Sequence, residues 1–190
     1  QGEVGPTGPP GTNFLNAPAG GDLTGTYPDP QIRNNSITSN KIVNGSVNTS
    51  KFATLPTVRA IFSVGAQFIS SGVSTLVNFP DESFDTANMH GPLNLERITA
   101  PVSGYYQVMA QVTWNSNSNG RREITILFNG VSSLWSNTVL PISGSSTAQN
   151  CFGLLKLDAG DVVTLQVFQN SGVSLAVTGA SLAMHWVSPL

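Results

Sequence analysis

The sequence predicts an all-β protein in three zones. A short collagen-like triple helix covers residues 1–12, a threefold-interwoven β fibre shaft covers 13–57, and a β-sandwich or jelly-roll head covers 58–190. Three observations carry that expectation. Glycine recurs at every third position at the start, apolar residues recur at every fifth position in the middle, and short alternating runs between turn clusters fill the rest.

In the first zone Gly2, Gly5, Gly8 and Gly11 are interleaved with Pro6, Pro9 and Pro10. Only glycine fits where three polyproline-type chains meet at an axis, and proline pre-sets the extended backbone. So short a repeat is not stable alone and reads as the end of a longer stalk; the bland alternative is a flexible Gly/Pro linker.

In the second zone Tyr27, Ile32, Ile37, Ile42, Val47 and Phe52 are spaced by five, with mostly polar residues between them. That spacing fits neither the helical nor the strand period. It suits short extended pieces joined by turns, each offering one apolar side chain to a shared axis. A single-chain pentapeptide β-helix would need more coils than this length supplies. A fibre of three chains, each giving one residue per layer, needs nothing further. An Asn/Ser-rich linker is the competing reading.

The third zone is long enough for one all-β domain. Over Gly104–Trp114 the residues Tyr106, Val108, Ala110, Val112 and Trp114 share one face, with Tyr105, Gln107, Met109, Gln111 and Thr113 on the other. Residues 123–128, 161–168 and 181–187 alternate in the same way, and turn clusters such as Asn129-Gly130, Asp158-Ala-Gly160 and Asn170-Ser-Gly172 separate such runs. Many short strands with regular turns indicate a sandwich or jelly roll.

Composition narrows the function. Only 9% of residues are charged and the net charge is -2, where soluble domains carry about 25% charged residues. Eight cations make no nucleic-acid footprint. No apolar run is long enough for membrane insertion. One cysteine, Cys151, excludes an intrachain disulfide and a cysteine-rich metal site. No nucleophile elbow, phosphate loop or zinc signature occurs. His90 sits in a Gly/Pro-flanked loop and His185 between Met184 and Trp186, and both read as structural rather than catalytic. Asp81, Glu82 and Asp85 carry hard oxygens that suit Ca²⁺, but their spacing favours a solvated loop. Asp161, after Gly160, reads as a turn residue opening a strand. No catalytic residue, cofactor or metal is expected.

The head resembles the complement component 1, q subcomponent-like globular domains of the tumour-necrosis-factor-like jelly-roll superfamily. The residues that carry this are Phe79 and Asp85, then Ala100-Pro101-Val102-Ser103-Gly104-Tyr105-Tyr106, then Gly160-Asp161-Val162-Val163-Thr164-Leu165, and the closing run Ser181–Val187. Ile98 and Val108 stand where aromatics are usual. The resemblance implies a compact homotrimer, commonly at the C-terminal end of a collagen stalk. Residues 20–32 (Gly-Gly-Asp-Leu-Thr-Gly-Thr-Tyr-Pro-Asp-Pro-Gln-Ile) resemble a segment recurring in bacterial and bacteriophage fibre proteins.

The expected function is therefore a trimeric bacteriophage tail fibre, in the virion and extracellular, whose head attaches to a cell-surface receptor or glycan and whose stalk joins other virion or fibre proteins. The alternative is a bacterial surface or spore-coat collagen-like protein whose head serves mainly for trimerisation. A glycan-degrading tail enzyme is the remaining reading, and it would need paired carboxylates in a groove. The candidate binding loops are 115–122, 139–150 and 171–174. Within them Arg121 and Arg122 suit carboxylate or phosphate groups of a glycan, with a pairing to Glu123 as the competing role. Asn117 and Asn119 are further candidates. Trp135 suits stacking on a sugar, or equally packing in the core or trimer seam.

Overall fold

The computed structural model describes residues 1–8, 16–47 and 54–190. The chain divides into two compact units, Gln1–Phe52 and Ala53–Leu190.

In the first unit, residues 1–8 are exposed and carry no regular secondary structure; Pro9, Pro10 and Gly11 of the glycine repeat lie outside the described residues. Strands β1 (Leu23–Thr24) and β2 (Gln31–Ile32) form an antiparallel hairpin, and Ser39–Lys41 makes one 3-10 turn. Left-handed backbone at Asn16, Gly21, Gly25, Asn35 and Gly45 turns the chain back repeatedly. Among the described residues of this unit regular β-structure is limited to that hairpin, and of the described pentad residues only Ile32 lies in a strand. Lys41 Nζ contacts Asp22 Oδ1 and donates to the Ser36 carbonyl (2.9 Å), which ties the hairpin to the 3-10 turn. No residue of 16–47 is buried. Tyr27, Ile32, Ile37, Ile42 and Val47 are all exposed, from 38% to 61%. Phe52 lies outside the described residues.

The second unit contains eleven strands. They are β3 (Thr57–Phe62), β4 (Gln67–Ile69), β5 (Thr75–Leu76), β6 (Asp81–Asp85), β7 (Arg97–Thr99), β8 (Gly104–Trp114), β9 (Arg122–Phe128), β10 (Ser132–Val139), β11 (Thr147–Leu157), β12 (Val162–Gln169) and β13 (Leu175–Ser188). One sheet runs β10-β9-β12-β5, with β7 also on β12; the other runs β11-β8-β13-β3-β6, with β4 also on β13. Every pairing is antiparallel. Inward residues of both sheets merge into one core that includes Val58, Phe79, Ile98, Tyr106, Trp114, Ile126, Leu165 and Leu182.

Strand β8 follows its sequence period residue by residue: Tyr106, Val108, Ala110, Val112 and Trp114 are buried, and Tyr105, Gln107, Met109 and Gln111 are exposed. Three elements differ from expectation. β13 begins at Leu175, well before Ser181. β11 takes up 147–150, so the loop expected over 139–150 shrinks to 140–146. Trp135, offered above for stacking on a sugar, lies within β10 rather than in a loop.

The residues that carry the resemblance are structural. A Cβ at Gly104 would collide with the Trp186 indole and lie 2.6 Å from the Ser188 carbonyl, so only glycine lets β13 close over β8 there. Tyr106 is buried and its hydroxyl donates to the Val102 carbonyl (2.7 Å); burial pushes its pKa up. Gly160 is left-handed, and Asp161 accepts from the Asp158 N–H (2.8 Å) and from Asn129 Nδ2 (3.0 Å), as its reading as a turn residue implied.

Candidate functional site: the loop end of the head

At one end of the sandwich β8 runs into loop 115–121, β10 into 140–146 and β12 into 170–174. Beneath these loops lies a floor of buried polar side chains. Gln149 Oε1 accepts from Trp114 Nε1 (2.8 Å), and Gln149 Nε2 donates to the carbonyls of Asn137 (2.7 Å) and Arg122 (3.2 Å). Gln169 donates to the carbonyls of Ile69 (2.9 Å) and Val173 (2.8 Å) and accepts from the Ser171 N–H (2.7 Å). These side chains replace the backbone partners that each strand loses where its ladder ends.

Arg122 is the central member of the floor and a correction to the sequence expectation. It is fully buried, not displayed. One terminal nitrogen donates to the carbonyls of Asn119 (2.9 Å) and Arg121 (3.1 Å), and the other to Asn117 (3.1 Å). Its guanidinium also lies 5.9 Å from the Trp114 ring centroid. Burial lowers its pKa. Among the described residues no carboxylate hydrogen-bonds to it, and three carbonyl dipoles and an aromatic face offset a buried charge that would otherwise be very costly. In this conformation Arg122 holds the loop and is closed to a surface ligand.

Arg121 points outward but is not free. Its guanidinium stacks over Phe168 (5.0 Å to the centroid) and lies 3.6 Å from Glu123, the pairing that competed with glycan binding in the sequence reading. Its backbone N–H donates to Asn170 Oδ1 (2.6 Å). Asn117 is half-buried, and its Oδ1 accepts from the Asn119 N–H (2.8 Å); Asn119 is exposed. The structure thus brings together Asn117, Asn119 and Arg121 at the surface, with Arg122 below. Trp135 is not among them. It is half-buried against the core and lies on β11 at Gly153, where any Cβ would collide with its indole.

Sequence reasoning missed Asn170, Gln149 and Gln169. The latter two stand on the inward phase of β11 and β12, and a glutamine at an apolar position is the signal that could have found them.

Two of the three acidic residues of β6, Glu82 and Asp85, are engaged as well. Asp85 caps the N–H groups of Ala87 (3.0 Å) and His90 (2.9 Å), and Glu82 Oε1 lies 2.8 Å from Nδ1 of the buried His90. Among the described residues, no three His, Cys, Asp or Glu side chains converge as a metal site. Cys151 is a buried free thiol whose pKa burial pushes up. No helix among the described residues is long and apolar enough to cross a membrane.

A second surface is the outward face of the β11-β8-β13-β3-β6 sheet. The registers align Phe152, Met109, Ala183, Arg59 and Phe84 in a row across five strands. Phe152 is 70% exposed and Leu154 59%. The row forms a groove of about 560 Å³ whose lining includes Arg59, Phe84, Met109, Gln111, Phe152 and Ala183.

In three dimensions the chain is similar to the globular domain of zebrafish complement 1qA protein, with a TM-score of 0.54 and 16% identity over 71% of this chain and 99% of that one. It is also similar to murine APRIL at pH 5.0, with a TM-score of 0.53 and 14% identity over 70% of this chain and 99% of that one. The head has a complement-1q-like jelly-roll fold. At such low identity the likeness is one of fold. No protein-family model matches the sequence, and no curated protein does.

Proposed function

We propose that the chain is the distal part of a homotrimeric fibre, with a stalk, a shaft and a head that attaches to a cell surface, and that it serves as a bacteriophage tail fibre without catalytic activity. The observation that carries the trimer is the uncovered, mostly apolar row of Phe152, Met109, Ala183 and Phe84 on the β11-β8-β13-β3-β6 sheet, with Arg59 as its one charged member. Contiguous exposed apolar surface of this kind marks an association face, and Phe152 on a groove of matching chemistry suits a heterologous contact that closes into a ring. The complement-like fold supports the same reading, because the resemblance implies compact trimers. The glycine repeat and the pentad row support threefold symmetry further along the chain.

Attachment is supported by the rigid loop end, by the likeness of residues 20–32 to fibre proteins, and by the structural use of His90, Glu82, Asp85 and Asp161, which removes the obvious candidates for chemistry. A bacterial surface or spore-coat protein whose head mainly holds three chains together is the alternative. Light scattering on the full chain should give about three times the 19.9 kDa chain mass. Phe152→Glu should give a folded monomer, read by mass and by an unchanged far-ultraviolet spectrum. A monomeric wild type would overturn the trimer. Failure of a trimeric chain to adsorb to candidate host cells would favour the clamp role.

A further inference from the structure

The concavity between loops 115–121 and 140–146 has a volume of about 530 Å³ and is lined by Ser118, Asn119, Arg121, Leu140, Pro141 and Asn170. We infer that it binds a neutral saccharide. This rests on the attachment reading above and names the ligand class for that end of the head.

The site is built before any ligand arrives. The buried Arg122 holds the carbonyls of three loop residues, Asn170 holds Arg121, and the Ser118 and Ser143 hydroxyls lie 3.3 Å apart across the two loops. Gly120 is left-handed (φ +71), and a Cβ there would lie 2.5 Å from the Asn170 carbonyl, so the loop passes Asn170 as closely as a backbone can. Little conformational entropy remains to be lost on binding. The volume falls within the span of small-ligand sites, about 300–1,000 Å³.

The lining chemistry selects the ligand. Hydroxyl and carboxamide groups both donate and accept, as sugar hydroxyls do. Leu140 is 78% exposed and, with Pro141, offers an aliphatic surface to the C–H face of a pyranose ring. No carboxylate lines the concavity. Its single cation is occupied by Phe168 and Glu123, which disfavours an anionic sugar. Affinity at one such open site is modest, and three copies on one fibre would raise it by about 10²–10⁴ through avidity.

The test uses the full chain, labelled, on immobilised oligosaccharides of neutral hexoses and N-acetylhexosamines beside sialylated and phosphorylated ones. Wild type should bind neutral members. Asn119→Ala and Leu140→Asp should each weaken that binding at least about tenfold, while Val131→Ser, on the exposed β9–β10 turn, should not; matched thermal melts confirm the fold. Binding unaffected by both variants would place the saccharide elsewhere and overturn the site. Binding to acidic members only would overturn the ligand class. No binding to any member by a chain that still adsorbs to host cells would overturn the saccharide and leave attachment standing. Loss of both would overturn the two together.

Discussion

The head and the 16–47 segment are both ordered chain, yet they solve the burial problem in opposite ways. In the head, Val58, Phe79, Ile126, Leu165 and Leu182 are wholly removed from solvent. In the segment nothing is buried, and its apolar side chains stand in water. A fully buried isoleucine is worth about 1.5–3 kcal/mol. Ordering one residue of backbone costs about 1–2 kcal/mol. One apolar side chain per five residues therefore does not hold such a segment, even with complete burial. On the threefold reading proposed above, hydrogen bonds and apolar contact between chains would supply the missing terms, whereas the head has its own core.

The largest effect expected from this contrast is on truncation. Residues 1–53 produced alone should sediment as a monomer with a random-coil circular dichroism spectrum. Residues 54–190 alone should melt cooperatively. A β-type spectrum from a short piece that sediments as a monomer would break the comparison, because its order would then come from within one chain.

Arg122→Met sharpens the contrast at smaller scale. It removes a buried donor set and leaves the carbonyls of Asn117, Asn119 and Arg121 without it. A buried polar group left unmet costs about 1–3 kcal/mol, and water reaching the exposed side of the loop offsets part of the sum. Urea unfolding of the head should lose about 2–3 kcal/mol, with faster amide exchange over 115–121 and no change over 16–47. Lysine should not rescue it, since an ammonium lacks the planar fork that spans three carbonyls. Full stability in Arg122→Met would mean that the loop holds itself.

How much of this was legible in the sequence follows from the range of the interactions. β8 was readable because a strand with one buried face writes its period into consecutive residues, Tyr106 to Trp114. Asp161 was readable because a turn residue after Gly160 acts locally. The early start of β13 was not, since Leu175–Val177 are buried as a continuous run without alternation. The site was only half legible. The loops were marked by Asn, Ser and Gly, but the fate of Arg122 depends on Trp114 and Gln149, which reach it from the opposite sheet, and on Gln169, its partner in the β9–β12 register. Arg121 and Arg122 look alike in sequence, and one step along a strand sends one outward and the other into the core.

The smallest effect expected is at the ion pair of the segment. Lys41 and Asp22 lie 19 residues apart, and their side chains are 42% and 59% exposed. Exposed pairs of this kind contribute about 0–1 kcal/mol, because water and side-chain entropy offset most of the attraction. Lys41→Ala should leave the mass in solution unchanged and lower the stability of the 16–47 segment by under about 1 kcal/mol. The difference should fade in about 1 M salt, where the screening length falls to about 3 Å. A loss above about 2 kcal/mol would mean that polar clips within one chain order the segment. Its exposed isoleucines would then be incidental, and the contrast with the head would lose its basis.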